Sequence, residues 1–507
     1  MTVADGAPQP EQAGSALGRS AVRGALWLAV SKGCSTVATL VSTAILARLL
    51  APQDFGLVAA CFSMLSLPMA IYEGAFGLAL ISKGSLSADD IRVSYWISIG
   101  LSSALGLTMA ASAPLIAALF GFPDLTPMLL VVALTLPLRG AAAVCAALMQ
   151  IHGRFNHLGG IWAASSVVNG ILVAPPLALA GFGAWSLIAA TAVAAMFEFV
   201  ALHLAARPPM AVPKSWAGAR AFGGRGGMHT LTLIANWAAM ASPNFLIGSN
   251  AGAASLGLFS RGWRLMDIAM SFTAAPMQRT LIPTFSKLRH ERKRAGAGVL
   301  KAVSLALPLF LVVSGLLATQ VELVIVVLLG PAWLAAAPSA QVLMLAFASR
   351  SLQKILESVY LGFDMSGRAF LSQAFFFVSI VVGVSIGLGH GLTGAAAGFV
   401  AASWVYVLVV LAQVCAILQI RVVALARELA RALILAGAVV GPGALVLLLG
   451  QDHGLWARHL AAGAASGVAA ALLAFLPNAA LGEAWAEVRG RGAAFAAKRL
   501  RRSRGFS

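Results

Sequence analysis

The chain has 507 residues, of which 60% are hydrophobic and only 10% charged, with 35 Lys and Arg against 17 Asp and Glu. No soluble globular domain of that length is so apolar, and about fourteen apolar stretches of roughly 20–30 residues leave no room for a large extramembrane domain. A formal charge of +18 on such a chain belongs mainly to a membrane rim, which argues against a nucleic-acid partner.

Residues 1–20 are polar, carry Pro8 and Pro10, and read as a disordered cytoplasmic tail. They lack a basic n-region followed by a short apolar core and cleavage site, so no signal peptide is expected. Spans follow at about 21–46, 56–82, 91–120, 126–150, 158–180 and 184–206, giving an N-terminal six-helix bundle over 21–206. Residues 207–223 read as a cytoplasmic linker. Spans at about 224–248, 256–284, 298–328, 337–361, 370–389 and 394–418 make a C-terminal six-helix bundle over 224–420. Two additional transmembrane helices, about 430–450 and 459–479, fall in 421–481. Residues 482–507 form a basic cytoplasmic tail, with Trp485, Val488, Phe495 and Leu500 among seven Lys or Arg, suited to anionic lipid. Runs this long without period-two alternation are helices, because an open strand cannot satisfy its backbone in lipid. The expected fold class is an all-α polytopic membrane protein.

The basic residues give the orientation. Twenty-six of the 35 fall in the tails, the even-numbered connections or the first residues of the spans that adjoin them, two (Arg48 and Arg458) in odd-numbered ones, and seven deeper within spans. The positive-inside rule then puts both termini in the cytoplasm. Arg outnumbers Lys 27 to 8 and Ala is abundant, a composition suggesting a GC-rich bacterial genome and therefore a bacterial inner membrane. A weak repeat runs through the spans. Leu119-Phe120-Gly121 is echoed by Leu328-Leu329-Gly330, Gly181-Phe182-Gly183-Ala184 by Gly391-Leu392-Thr393-Gly394-Ala395, and Phe55-Gly56-Leu57 by Leu256-Gly257-Leu258. Six spans separate each pair, so the repeat is parallel, a known transporter plan.

The seven basic residues within spans are Lys32, Arg139, Arg261, Arg264, Arg279, Arg350 and Lys354. A charge at the bilayer centre is costly, so such residues face a wet cavity or a partner. Arg279 lies near a span end, where it can snorkel. Arg139 and Arg350 are 211 residues apart, which makes them equivalent positions of the repeat. Facing one another, they would form a cationic cleft for a diphosphate, held by guanidinium forks; the bland alternative is that each pairs locally. Among the acids, Asp267 follows Arg264 by three residues and Glu357 follows Lys354 by three, the spacing of local pairs. Glu73 has no basic residue at such a spacing and is the freest candidate for a coupling carboxylate. The four cysteines and eight histidines show no metal or redox spacing, so no cofactor and no metal are expected. Gly223-Gly224-Arg225-Gly226-Gly227 lacks the Lys-Ser/Thr of a phosphate loop. With no nucleotide-hydrolysing domain in view, the work must come from an ion or substrate gradient, and no enzyme activity is expected.

The segment Ala47-Arg48-Leu49-Leu50-Ala51-Pro52-Gln53-Asp54-Phe55-Gly56-Leu57 resembles the first outer loop of bacterial polysaccharide-export flippases of the Wzx type. These are the oligosaccharide flippase branch of the multidrug/oligosaccharidyl-lipid/polysaccharide exporter superfamily. Asn244-Phe245-Leu246-Ile247-Gly248 with Leu256-Gly257-Leu258-Phe259-Ser260-Arg261, and Leu329-Gly330-Pro331-Ala332-Trp333, extend the likeness along almost the whole chain. The resemblance implies two bundles in a V around a central cavity. It also implies a substrate of oligosaccharide repeat units on undecaprenyl diphosphate, for exopolysaccharide, capsule or O-antigen (lipopolysaccharide) synthesis. A polysaccharide polymerase and a chain-length regulator are implied partners, beside membrane lipids. Arg261 and Arg264 match the family's basic eighth span and take a cavity-lining role on that likeness, alongside Lys32, Arg139 and Arg350. Glu73 lies in a Glu-Gly-Ala-Phe stretch similar to one in the peptidoglycan-precursor flippases, and with Asp267 it is a candidate coupling carboxylate. Where the family often has Asp before the Asn of the seventh-span motif, this chain has Pro243, so no coupling mechanism is carried over.

Two other functions compete. A cation-coupled multidrug exporter of the same superfamily should line its cavity with acids and aromatics, whereas here seven intramembrane cations face five acids, Glu73, Glu198, Asp267, Glu322 and Glu357. A structural scaffold leaves the midplane charges without a purpose beyond packing. The orientation is open to direct test. Single cysteines placed by Arg292→Cys and Asp452→Cys, in a background without the native cysteines, should differ in intact spheroplasts: an impermeant thiol reagent labels the second and not the first. The reverse pattern would overturn the orientation.

Overall fold

A computed structural model describes residues 10–81, 87–213 and 227–474. Every regular element among them is helical, in the order α1 (Pro10–Leu49), α2 (Pro52–Ile81), α3 (Ala88–Phe120), α4 (Leu125–Ile151), α5 (Phe155–Leu179), α6 (Trp185–Ala206) and α7 (Gly227–Phe272). Then come α8 (Ala274–Lys287), α9 (Arg292–Leu328), α10 (Pro331–Gly362, whose first six residues are a 3₁₀ turn), α11 (Ser366–Leu388), α12 (Gly391–Leu418), α13 (Val422–Leu449) and α14 (Leu455–Ala474). Eleven of them, α1–α6 and α9–α13, are long and apolar enough to cross a membrane. Helices α7, α8 and α14 occupy the other three expected places but carry more polar groups: Asn236, Asn244, Arg261, Arg264 and Asp267 in α7, Arg279 and Lys287 in α8, Arg458 and His459 in α14. The chain is a multi-pass membrane protein.

Local chemistry sets the helix ends. Ser87 and Asp90 form a reciprocal capping box at the start of α3, and Gly121 ends it in the left-handed region. One carboxylate serves two helices. Asp54 accepts hydrogen bonds from the Ala51 N–H (3.0 Å) at the start of α2 and from the Ala184 N–H (3.1 Å) just before α6, where helix dipoles favour an anion. A π-helical turn over Val168–Val173 interrupts α5, directly before Pro175 and Pro176, whose missing N–H groups unsettle the ladder there.

The backbone is helical from Pro10, where proline suits a first helical turn, having no N–H to leave unsatisfied. At Gly252 (φ 82°, ψ 173°) the backbone leaves the helical region, and the helices expected as the seventh and eighth spans meet at a kink there. The basic tail at 482–507 and part of the linker lie outside the described residues.

The chain forms two compact units. Unit 1 is Met1–Trp237 with Ala251–Gly257, and unit 2 is Ala238–Asn250 with Leu258–Ser507. The repeat is visible in the backbone. Gly121 and Gly330, and Gly181 and Gly391, are matched pairs with positive φ at matched helix boundaries. Helices α4 and α10 are equivalent and central: each is 61% buried, against 17–44% for the other candidate spans. Inside unit 1, α2 meets the Ala251–Gly257 turn backbone to backbone. A Cβ added to Gly56 would lie 1.8 Å from the Ala253 carbonyl oxygen, and one on Gly257 1.8 Å from that of Pro52. Pro52 and Gly56 are the repeat equivalents of Ala253 and Gly257, so the contact is reciprocal.

Unit 2 has a similar seam between α11 and α12. A Cβ on Gly398 would sit 1.9 Å from the Gly383 oxygen, and one on Gly394 2.2 Å from that of Gly387. Overpacking of this kind costs about 1–3 kcal/mol. Gly398→Leu should therefore lower the thermal midpoint of detergent-purified protein by several degrees, while Gly367→Leu, where an added Cβ meets open space, should not. Equal midpoints for the two variants would refute the seam.

Candidate functional site

The charged residues expected inside spans fall into two groups, one in each unit. In unit 1, Arg139 is half-buried on α4, its Nε 3.4 Å from Thr135 Oγ1 and its Nη2 3.5 Å from the Thr191 carbonyl oxygen. Both distances are long for good hydrogen bonds. Glu198 on α6, also half-buried, lies in the field of Arg139 and beside the Trp162 indole of α5. Arg139, Glu198, Trp162, Gln150 and Met69 line a cavity of about 360 Å³, with Ala142, Ala143, Ala146, Ala147 and Ala195 forming the rest of its wall. Lys32 is exposed on α1. The Glu73 backbone is helical in α2, and its side chain lies outside the described residues.

In unit 2, Arg350 on α10 is only 6% exposed. Its guanidinium donates to Gln353 Oε1 at 2.5 Å, lies 2.9 Å from Met240 Sδ, and sits 5.2 Å above the Phe376 ring centroid. Phe376 in turn stacks on Tyr406, 4.3 Å between centroids. Gln353 passes the chain on to Glu357. The Glu357 carboxylate also accepts from Gln373 Nε2 (2.7 Å) and Tyr406 OH (3.3 Å), and pairs with Lys354 Nζ at 3.5 Å. Beyond this network Tyr360 OH donates to Gln413 Oε1 at 2.6 Å.

Helix α7 packs Gly262 against Ala340 of α10. That contact brings the α7 charges to the same place. Asp267 lies in the field of Arg264, Arg350 and Lys354 together, not of Arg264 alone, with the Trp263 indole beside it. Arg261 and Arg264 are one turn apart and act on each other as like charges; Arg264 is exposed and Arg261 is half-buried. Among the described residues, unit 2 gathers four basic side chains (Arg261, Arg264, Arg350, Lys354) near two acidic ones (Asp267, Glu357). The unit 1 cavity sets one Arg against one Glu.

Arg139 and Arg350 thus share a position in the repeat but not an environment. The Lys354–Glu357 pair was legible from its spacing, as were Arg350–Gln353 and Gln353–Glu357 at one helical turn. Trp162, Gln373 and Tyr406 were not, since each comes from another helix and has no charge to draw notice; Gln150 shares α4 with Arg139 but likewise has no charge to mark it. Glu198 was visible as an intramembrane acid, but 59 positions separate it from Arg139, so the pairing needed the fold.

A family model described as polysaccharide biosynthesis protein matches residues 45–338. The succinoglycan biosynthesis transport protein ExoT of Rhizobium meliloti (strain 1021) is 25% identical over 324 residues, covering 63% of this chain and 65% of that protein, just under two thirds of its length. The teichuronic acid biosynthesis protein TuaB of Bacillus subtilis (strain 168) is 23% identical over 405 residues, 76% of this chain and 79% of the relative. Among solved structures, the lipid II flippase MurJ in an inward closed conformation superposes with a TM-score of 0.70 at 14% identity, covering 88% of this chain and 98% of that one. An inward-facing multidrug resistance MATE family transporter of the MOP superfamily gives 0.59 at 16%, covering 76% and 96%. At these identities the two structures establish likeness of fold.

The network around Glu357 generates a stability prediction. Glu357→Ala leaves Gln353, Gln373 and Tyr406 without their shared acceptor and Lys354 without its counter-charge. Breaking a buried ion pair by removing one partner costs about 3–5 kcal/mol, here discounted to roughly 2–3 because Lys354 is partly exposed. Thermal unfolding in detergent should show a clear loss for Glu357→Ala and a smaller one for Glu357→Gln, which keeps an acceptor. Equal midpoints for wild type and Glu357→Ala would mean the network carries no stability.

Proposed function

The chain belongs to the polysaccharide biosynthesis protein family, and we propose that it is a flippase carrying undecaprenyl-diphosphate-linked oligosaccharide repeat units from the cytoplasmic to the periplasmic leaflet. The observation that carries this reading is the charge surplus in unit 2. Among the described residues, Arg264, Arg350 and Lys354 stand against Asp267 and Glu357 on α7 and α10 and leave one positive charge in excess, in a segment that reads as membrane-embedded. A surplus of that sign attracts an anion, and a diphosphate offers oxygens on both phosphorus atoms to guanidinium forks. A drug cation would be repelled. Arg264 is the exposed member and makes first contact. Arg261 and Arg350 complete the field, Arg350 being held in place by Gln353 and Phe376.

On this reading the protein sits in the bacterial inner membrane with both termini in the cytoplasm, moves its substrate by alternating access, and hands it to a polymerase and a chain-length regulator. Asp267 and Glu357 keep the surplus small enough for the anion to leave. Glu73 remains a candidate coupling carboxylate. A binding site that must release its cargo each cycle cannot hold it with the full strength of unopposed cations.

Proteoliposomes test the proposal. The purified chain is reconstituted with undecaprenyl diphosphate bearing an oligosaccharide tagged with a dithionite-quenchable fluorophore. Transbilayer movement should exceed that of protein-free liposomes. Arg264→Ala should slow it by about tenfold or more, with Arg264→Lys intermediate, since Lys keeps the charge and loses the fork. A wild-type rate no faster than empty liposomes would reject the flippase reading; a normal rate for Arg264→Ala would reject the assigned site.

A further inference from the structure

The cavity in unit 1 is a different kind of site from the cation cluster in unit 2. Its volume, about 360 Å³, lies at the low end of the roughly 300–1,000 Å³ typical of small-molecule sites. That is room for a ring or two, not for a repeat unit with its lipid. Its polar lining is balanced: Arg139 donates, Glu198 accepts, and Gln150 does both. The alanine wall leaves the space open, and Trp162 adds an indole to the lining.

The balance selects the ligand. A diphosphate would gain from Arg139 and be repelled by Glu198. A cation would meet the reverse. A neutral polyol satisfies both, because each hydroxyl can donate to a carboxylate and accept from a guanidinium. Arg139 is also under-used by the protein, with its two hydrogen bonds at 3.4 and 3.5 Å. A half-buried guanidinium with such long bonds retains capacity for a ligand oxygen. The apolar C–H face of a pyranose ring packs on an indole, and its hydroxyl edge then points at the polar groups.

We propose that the cavity bounded by Arg139, Gln150, Trp162 and Glu198 is a saccharide subsite that engages an uncharged sugar of the carrier-linked glycan. The proposal rests on the flippase reading and deepens it. The cation cluster attracts the diphosphate common to every carrier lipid, and the subsite recognises a sugar that the carrier bears, so the two recognitions rest on different residues.

The test compares two probes on the full chain in detergent by native mass spectrometry: undecaprenyl diphosphate alone, and the same lipid bearing one neutral hexose. The wild type should prefer the hexose-bearing lipid by about tenfold, the scale of one or two hydrogen bonds to charged groups. Glu198→Gln removes the charge at constant volume, and Ala146→Leu fills the cavity without touching a polar group. Each should bring the preference close to one. If Ala146→Leu fails to fold, as judged by size exclusion, Glu198→Gln decides alone. A wild type that binds both lipids equally, or variants that keep the preference, would overturn the subsite while leaving the flippase reading intact. A wild type that binds neither lipid would overturn the flippase reading and the subsite with it.

Discussion

Charge buried in hydrocarbon is the constraint on which the rest of this structure depends. A lone guanidinium at the centre of a bilayer costs several kcal/mol at the least, and this chain places one on each of its two most buried spans. The cost is tolerable only if the neighbouring helices supply partners or a cavity. In unit 2 they supply partners: Met240 and the Phe376 ring close around Arg350, beside Gln353 of its own helix. In unit 1 they supply space and one opposed acid, Glu198. The packing of α5, α6, α11 and α12 around α4 and α10 follows from having to provide these surroundings.

The two arginines began as equivalent positions of a parallel repeat and now have unlike surroundings. Duplication fixes the depth and orientation of a side chain, because both are set by helix register. It does not fix what stands opposite, because that comes from other helices whose sequences drift independently. Opposite Arg139 the sixth span offers an acid, while beside Arg350 its own helix offers Gln353 and, one turn further, Glu357. A symmetric cleft read from the 211-residue offset assumed equivalent partners as well as equivalent positions. Only the second assumption was contained in the offset.

That difference marks how far the sequence could be read. Helix order and approximate boundaries were legible because runs of this length in lipid have one regular conformation available. The paired stops Gly121 and Gly330 were legible too, since positive φ strongly favours glycine. The break between the seventh and eighth spans was legible as well, since Gly252 falls between their expected ends, but that it takes the form of a kink was not. The backbone contact of Gly56 with Ala253 was likewise invisible: a glycine kept for close approach looks the same in sequence as one kept for a turn. Within the sites, contacts one helical turn apart could be listed from spacing alone, but Trp162 beside Glu198 and Tyr406 on Glu357 required the fold.

The two basic residues that break the charge asymmetry of the connections have physical explanations. Arg458 is bound to Glu322 of α9 at 2.5 Å, and His459 approaches the other oxygen of that carboxylate at 3.5 Å. Its charge is neutralised within the fold, where it ties α14 to α9. Arg48 lies in the last turn of α1 and donates to the Ala44 carbonyl at 2.7 Å, where the helix dipole favours a cation. Topology responds to basic charge that must be moved through the membrane uncompensated. A charge paired with an acid, or set against a helix C-terminus, opposes that movement less, so these two positions dilute the asymmetry without contradicting it. The same reasoning separates the intramembrane charges: Lys354 is held by Glu357 and Arg139 lies in the field of Glu198, whereas Arg264 and Lys32 are exposed.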